Sequence, residues 1–149
     1  MSFYEAKDDI LIFGKQIQTT NEDMRALDDI KKMWEAFSKK NFLEGLLVKH
    51  KDTLVAVYKD YEDEARGKYN YILGAPMKED ALEAPSDMLR VIIPNGKYYA
   101  YSVSSQDPKD ILEAWKHIWT LDGDLLKRAF KLDYEWYQGS KMTIYLSVL

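Results

Sequence analysis

Two stretches of this chain place apolar residues three or four positions apart, which is the spacing of an amphipathic helix. The first stretch follows N-cap residues at positions 19–21 and ends near residues 39–40. The second begins at Asp107-Pro108, a capping Asp followed by Pro at the first helical position, and Gly123 favours its end. The two apolar stripes are Met24, Leu27, Ile30, Met33, Trp34 and Phe37, and then Ile111, Leu112, Trp115, Ile118 and Trp119.

The other apolar runs are short, rich in β-branched and aromatic residues, and bounded by turn residues, as strands are. The polar segment 62–68 and the turn at 138–140 each separate two such runs, which predicts two hairpins and antiparallel pairing. The charged segment 78–87, interrupted by a Pro, is typical of a linker. The predicted strands cover residues 9–18, 53–60, 69–77, 88–93, 97–104, 130–137 and 141–149.

The order strand, helix, strand, strand occurs twice, which indicates an internal repeat with halves at about 9–77 and 88–149. The alternative is coincidence in an aromatic-rich chain. We predict one α+β domain over residues 1–149, in which duplicated βαββ units with pseudo-two-fold symmetry share an antiparallel sheet and two main helices. A ligand groove is expected between the halves. The landmarks that support the repeat are Gly14-Lys15 and Gly96-Lys97, Trp34 and Trp115, and Asp60-Tyr61-Glu62 and Asp133-Tyr134-Glu135.

Composition narrows the possible functions. The 149 residues include 21 Lys and Arg against 25 Asp and Glu, so a broad nucleic-acid or anionic-membrane surface is not expected. With 0 Cys and 2 His, neither thiol chemistry nor a metal or other cofactor is expected. The sequence shows no signal peptide and no apolar run of membrane-spanning length, which predicts a cytoplasmic protein. The 11 Tyr, 5 Phe and 4 Trp favour a pocket or interface that is apolar and hydrated at once.

Several motifs of the chain resemble the GyrI-like small-molecule-binding family. Residues 93–100 (Ile-Pro-Asn-Gly-Lys-Tyr-Tyr-Ala) are similar to its IPxGxYA segment, and residues 114–119 are similar to its Trp-containing helix. Residues 133–137 (Asp-Tyr-Glu-Trp-Tyr) are similar to its DFExY strand, and residues 142–146 to its closing strand. In the first half, the corresponding hairpin is matched by residues 56–61 and 69–74.

This family is the effector-binding domain of bacterial AraC-type and MerR-type multidrug regulators, here in a stand-alone form. The resemblance implies the same duplicated fold that the repeat predicts. The sequence departs from the family pattern at two places, one near the end of the chain and one beside the pocket. Ser147 stands where the family usually has a Pro, and residues 125–129 replace a Gly-Tyr-rich turn that borders the pocket in relatives.

Glu135 is the residue that the resemblance singles out. In relatives that bind drugs, the Glu of this motif lies at the bottom of an aromatic pocket and neutralises a cationic ligand. From the residues alone, the alternative is a solvated strand residue that faces Lys131 or Lys141. Alternation along the strand leaves Phe130, Leu132, Tyr134 and Trp136 on the opposite, apolar face.

Seven aromatic residues complete the predicted ligand-binding site. Tyr145 matches a pocket Tyr of the family, and the repeat and strand parity select three further Tyr residues. For the two Trp residues of the second helix, core packing against the sheet is the alternative. The predicted ligand-binding residues are Glu135, Tyr145, Tyr137, Tyr58, Tyr71, Tyr99, Trp115 and Trp119.

We therefore expect a cytosolic protein that binds small hydrophobic ligands, cationic or aromatic in character. No helix-turn-helix precedes the first strand, so any regulation is expected to involve a protein partner rather than direct DNA binding. The alternative function is a hydrolase, because one branch of the family resembles cyclopropanoid hydrolases in which a Glu orients or deprotonates water. Thr143 stands where that branch has an acidic neighbour. A third hypothesis is an interaction protein whose pocket is collapsed.

Overall fold

The strands of this protein form one antiparallel sheet, and two helices pack against one face of it. The computed structural model describes residues 2–64, 66–121, 123 and 125–149, and all element bounds refer to these residues. The strands are β1 Ser2–Ala6, β2 Ile10–Thr20, β3 Thr53–Lys59, β4 Lys68–Pro76, β5 Leu89–Ile93, β6 Gly96–Val103, β7 Leu132–Gln138 and β8 Lys141–Ser147. The helices are α1 Arg25–Lys40 and α2 Pro108–Leu121.

The strand order across the sheet, β1-β6-β8-β7-β3-β4-β2-β5, is symmetric about the contact between β3 and β7. Strands β2, β3 and β4 of the first half therefore occupy the same relative places as β6, β7 and β8 of the second. The strand that precedes each βαββ unit pairs with the other unit. β1 precedes the first unit and pairs with β6 of the second, and β5 precedes the second unit and pairs with β2 of the first. The predicted duplicated βαββ arrangement is confirmed, with one additional strand before each unit.

The sheet curls until its two edges approach each other. β1 and β5 lie at opposite ends of the strand order, yet only residues 94–95 separate β5 from β6, the strand on which β1 pairs. A chain advances at most about 3.3–3.6 Å per residue, so this link holds the edges close together. β2 and β4 also pack tightly where Gly14 pairs with Gly74, because a Cβ on Gly74 would lie 2.0 Å from the Phe13 carbonyl oxygen.

Both faces of the sheet are buried, and each has its own large core, beside a smaller cluster formed by Phe13, Met77, Ala81 and Met88. Along β3, Val55 and Val57 point into the interior of the curl, whereas Ala56 faces the helices. The interior core receives side chains from every strand of the sheet. The helix-covered core joins α1, through Met33 and Phe37, to residues of α2 and the sheet. Of these two cores, only the helix-covered one includes residues of α1 and α2. Any cavity between the two helices therefore lies on the helix-covered face of the sheet.

The sequence-based boundaries differ from the observed ones by a few residues, with two larger differences. The N-terminal strand β1 was not predicted, since four of its five residues are exposed and it pairs with the distant β6. The predicted equivalence of residues 60–62 and residues 133–135 in the repeat is wrong. Those residues follow the end of β3, whereas residues 133–135 lie inside β7.

Candidate functional site

A cavity of about 630 Å³ lies on the helix-covered face, between α1 and α2, and the sheet forms its base. Its volume is in the range of pockets that enclose a drug-sized molecule. The helices contribute apolar side chains, among them Leu27 and Ile30 of α1 and Ile111 and Leu112 of α2. Seven aromatic residues complete the walls, namely Trp34, Tyr58, Tyr61, Tyr69, Trp115, Trp119 and Tyr137.

Glu135 lies at the base of this cavity and is 2% exposed. It belongs to β7 and pairs with Ala56 of β3, at the contact where the two halves of the sheet meet. The carboxylate accepts hydrogen bonds from the indole N–H of Trp115 at 2.7 Å and from the hydroxyl of Tyr137 at 2.8 Å. Both donors are neutral, so they satisfy the oxygen atoms without balancing the charge.

Burial raises the pKa of Glu135 above its ordinary value, because the charged form is poorly solvated there. The donors Trp115 and Tyr137, together with the hydroxyl of Tyr58, favour the charged form and oppose part of this increase. The net direction is upward, and a carboxylate in this state gains from any cation that enters the cavity.

Aromatic rings surround the carboxylate at contact distance from one another. The ring of Tyr58 lies 5.6 Å from Tyr69, 5.1 Å from Tyr71 and 5.2 Å from Trp115. Burial raises the pKa of Tyr58 and Tyr137 well above the usual value, so both hydroxyls stay protonated. These rings offer faces that attract a cation, an interaction of about 0.5–2 kcal/mol per ring.

A buried ion pair lies at another part of the cavity wall. The guanidinium of Arg128, which lines the cavity, contacts the carboxylate of Asp133 at 2.7 Å, and both side chains are at most 3% exposed. The hydroxyl of Tyr61 and the backbone N–H of Ser147 also donate hydrogen bonds to Asp133. Asp133 is therefore saturated with partners, unlike an acid prepared for catalysis.

The structure brings five of the eight predicted site residues to the cavity and separates three from it. Those that line it are Glu135, Tyr137, Tyr58, Trp115 and Trp119. The two Trp residues of α2 thus contact the cavity, and Glu135 is buried rather than solvated beside Lys131 or Lys141.

Strand parity explains why Tyr145 does not reach the cavity. In the β7–β8 pair, Ile144 lies opposite Glu135, whereas Tyr145 lies opposite Tyr134 and stacks on it with ring centroids 4.6 Å apart. The side chain of Tyr145 therefore belongs to the interior of the curl, on the other face of the sheet.

Tyr71 and Tyr99 lie on the helix-covered face of the sheet, but neither lines the cavity. Tyr71 is fully buried beneath Tyr58, and its hydroxyl accepts a hydrogen bond from the indole N–H of Trp34 at 2.8 Å. Tyr99 lies towards the edge of the sheet, where its ring contacts Phe3 of β1 at 5.2 Å. Neither position corresponds to the predicted role of direct ligand contact.

Sequence reasoning missed several cavity residues. Trp34 is absent from the predicted ligand-binding residues, although its equivalence to Trp115 in the repeat was a signal that both face one cavity. Tyr61 lies in the connection after β3, where no regular pattern applies, whereas Tyr69 lies inside β4 on the same face as Tyr71, so strand alternation was a signal for it. Arg128 comes from the segment 125–129, whose departure from the family pattern had drawn attention to this wall.

Two further observations concern the described part of the chain. No group of three or more His, Cys, Asp or Glu side chains there is arranged to hold a metal ion. No helix among those residues combines the length and the apolar character that crossing a membrane requires.

Comparisons with known proteins agree with the fold and with the small-molecule-binding family. The family model Cass2, described as integron-associated effector binding protein, matches residues 5–148. The Bacillus subtilis protein YobU, named as a candidate transcriptional regulator, is 26% identical over 151 residues, which cover 94% of this chain and 93% of YobU.

Solved structures share the whole fold at low sequence identity. An integron cassette protein of Vibrio cholerae superposes with a TM-score of 0.77 at 21% identity, covering 100% of this chain and 97% of the other. The protein SAV2435, bound to tetraphenylphosphonium, gives a TM-score of 0.77 at 14% identity and coverages of 100% and 94%. A candidate transcription regulation protein of Staphylococcus aureus gives 0.69 at 13% identity, with coverages of 98% and 97%.

Proposed function

The chain belongs to the family of integron-associated effector binding proteins, and from that premise we propose that its cavity binds a bulky cationic aromatic effector. The observation that carries the proposal is the carboxylate of Glu135, buried at the base of an aromatic cavity and hydrogen-bonded by neutral donors. A carboxylate in such surroundings is costly unless a cation accompanies it. A ligand that brings both a positive charge and aromatic rings supplies what this site lacks.

Each part of the cavity has a role in this proposal. Glu135 provides the charge, and Tyr58, Tyr137 and Trp115 hold the carboxylate and present their rings to the ligand. The apolar residues of α1 and α2 bury the remaining surface of the ligand. The volume of about 630 Å³ accommodates several aromatic rings at once.

Tetraphenylphosphonium is the probe with which we would test the proposal, because it is the cation bound to the structural relative SAV2435. Its affinity would be measured by quenching of Trp fluorescence and by calorimetry, beside triphenylphosphine oxide as an uncharged aromatic probe. We expect the wild type to prefer the cation. We also expect Glu135→Gln to weaken cation binding by about 10–100-fold, which corresponds to about 1–3 kcal/mol, the usual range for a buried charged partner.

The control variant is Glu64→Gln, which makes the same substitution at the exposed rim of the cavity. Water screens an exposed charge, so this variant should change the affinity for the cation by less than about fivefold. Equal binding of both probes to the wild type, or unchanged cation binding by Glu135→Gln, would refute the proposed function.

The hydrolase alternative uses the same carboxylate, and the raised pKa of Glu135 is one property that it requires. It is distinguished by turnover. Incubation with a strained cyclopropane-containing alkylator should leave the compound unchanged if the protein only binds. Product that forms with the wild type and not with Glu135→Gln would favour the enzyme.

A further inference from the structure

We propose that a proton on Glu135 selects between two classes of ligand: a cationic aromatic molecule binds as the proton leaves, and an uncharged aromatic molecule binds while the proton stays. The inference rests on the proposed function and deepens it, because it adds a second ligand class and makes the choice between the two depend on pH. The proton passes from the carboxyl group to a base in solution, and no covalent bond of the ligand changes.

The two oxygen atoms of Glu135 have partners of different kinds. Oε2 accepts a hydrogen bond from the indole N–H of Trp115 at 2.7 Å, and an indole N–H can only donate. Oε1 lies 2.8 Å from the hydroxyl of Tyr137, and a hydroxyl can either donate or accept. A proton on Oε1 therefore keeps both hydrogen bonds, since the carboxyl group then donates to Tyr137 and still accepts from Trp115. The site satisfies Glu135 in both protonation states.

The titratable groups that face Glu135 from the neighbouring strands are tyrosine hydroxyls. Burial raises the pKa of each of them above the usual value, and the charge of Glu135 raises it further. None of these hydroxyls therefore changes its charge below pH 8, where Glu135 titrates. They are Tyr58 of β3, Tyr69 and Tyr71 of β4, and Tyr137 of β7.

Other charged side chains also line the cavity. These are Arg128, which contacts Asp133 at 2.7 Å, Lys31 of α1, and Glu64 at the exposed rim. The wild type and Glu135→Gln both contain these groups, so any pH dependence of binding that comes from them would remain in the variant. A pH dependence that is lost in Glu135→Gln must come from Glu135.

The two ligand classes should respond to pH in different directions. Burial raises the pKa of Glu135, so the empty cavity keeps the proton to a higher pH than an exposed carboxyl group does. A bound cation favours the charged form, so its affinity should increase with pH until the empty site is itself charged. An uncharged ligand excludes water and disfavours the charged form, so its affinity should stay constant or fall over the same range.

Glu135→Gln reproduces the protonated state at nearly the same shape. The amide oxygen can accept from Trp115, and the amide N–H can donate to Tyr137, as the protonated carboxyl group would. We therefore expect this variant to fold and to bind an uncharged aromatic probe as the wild type does at low pH. Its affinities should not depend on pH.

The experiment measures the affinities for tetraphenylphosphonium and triphenylphosphine oxide by Trp fluorescence from pH 4 to pH 8, with circular dichroism to show that the protein is folded. For the wild type, we expect the affinity for the cation to rise about tenfold or more and that for the uncharged probe not to rise. Both affinities of Glu135→Gln should stay within about threefold. Glu64→Gln is the matched control and should follow the wild type, because its carboxylate is lost from the exposed rim.

Calorimetry in buffers of different ionisation enthalpy counts the protons directly. Binding of tetraphenylphosphonium to the wild type should release up to about one proton in the acidic part of the range and almost none at pH 8. Triphenylphosphine oxide should release none, and neither probe should release a proton from Glu135→Gln. If that variant does not fold, the proton counts of the wild type with the two probes still decide.

The outcomes separate this inference from the proposed function. A preference for the cation at pH 8, where the empty site is most highly charged, tests the proposed function, and its absence means that the proposed function fails first. If the preference is present but no proton is released at any pH, the inference is overturned and the proposed function stands. Proton release that persists in Glu135→Gln would also overturn the inference, because another group would then be its source.

Discussion

The hydrogen bonds that Glu135 accepts come from neutral donors, and they favour its charged form without outweighing its burial. The N–H of Trp115 and the hydroxyl of Tyr137 contact it at 2.7 and 2.8 Å, yet burial still raises its pKa. The neutral donors therefore only partly replace the water that folding removed. In the proposed function, a ligand cation would relieve the remaining unfavourable free energy.

The pH dependence of stability tests this description of Glu135. Its pKa in the folded protein is raised above 4.5, so the folded state binds the proton more tightly than the unfolded state. The free energy of unfolding should therefore be highest, as far as Glu135 contributes, below pH 4.5, and should fall as the pH rises through the raised pKa. Each tenfold difference in proton affinity is worth about 1.4 kcal/mol.

Glu135→Gln isolates this contribution from that of the other carboxylates. Urea unfolding of both proteins between pH 4 and pH 8, without ligand, should show the variant gaining stability relative to the wild type as the pH rises. A constant difference across that range would mean that Glu135 does not titrate differently in the folded and unfolded states.

The two helices show how a repeated element acquired two chemical roles. Trp34 of α1 and Trp115 of α2 both line the cavity, and each donates its indole N–H to a residue of the sheet. The acceptor of Trp34 is the hydroxyl of Tyr71, whereas that of Trp115 is the carboxylate of Glu135. A hydrogen bond to a charged acceptor is roughly twice as strong as one between neutral groups.

A comparison of Trp34→Phe with Trp115→Phe tests this asymmetry. Both substitutions retain an aromatic ring and remove the N–H donor. We expect Trp115→Phe to lower the free energy of unfolding at pH 7 by about 1 kcal/mol more than Trp34→Phe. The excess should disappear in a Glu135→Gln background, and its persistence there would assign the difference to packing.

The sequence predicted most elements of the fold because its hydrophobic spacing was regular where the chain packs against itself locally. Both helices and seven of the strands follow from that spacing. β1 could not be found in this way, since its exposed residues carry no burial pattern and its pairing with β6 is a long-range choice.

The site was predicted as far as alternation and motif resemblance could reach. Glu135 was identified by the motif resemblance, and alternation along β7 places Tyr137 on the same face, while Tyr145 was assigned to the wrong face of β8. Both faces of this curled sheet are buried, so an aromatic residue on a strand gives no indication of which core it enters. Tyr61 and Arg128 come from connections whose path depends on the completed fold.

At the scale of the whole molecule, the cavity lies where the two halves meet. Its walls come from α1 of the first half and α2 of the second, and Glu135 lies at the β3–β7 contact that joins them. A ligand in the cavity therefore contacts both halves at once. Its binding free energy should stabilise one cooperative unit and not a single element.

Thermal unfolding with tetraphenylphosphonium tests that cooperativity. At a concentration of 100 times the dissociation constant, a ligand that binds only the folded state adds about 2.7 kcal/mol. For a chain of 149 residues, this corresponds to an increase in Tm of roughly 5–11 °C.

We expect the increase in Tm to be the same by far-UV circular dichroism, which follows the whole sheet, and by Trp fluorescence, which follows the cavity. At the same ligand concentration, Glu135→Gln should show a smaller increase by both probes. A fluorescence transition that moves while the circular dichroism transition stays in place would mean that the ligand stabilises the helices locally, without coupling the two halves.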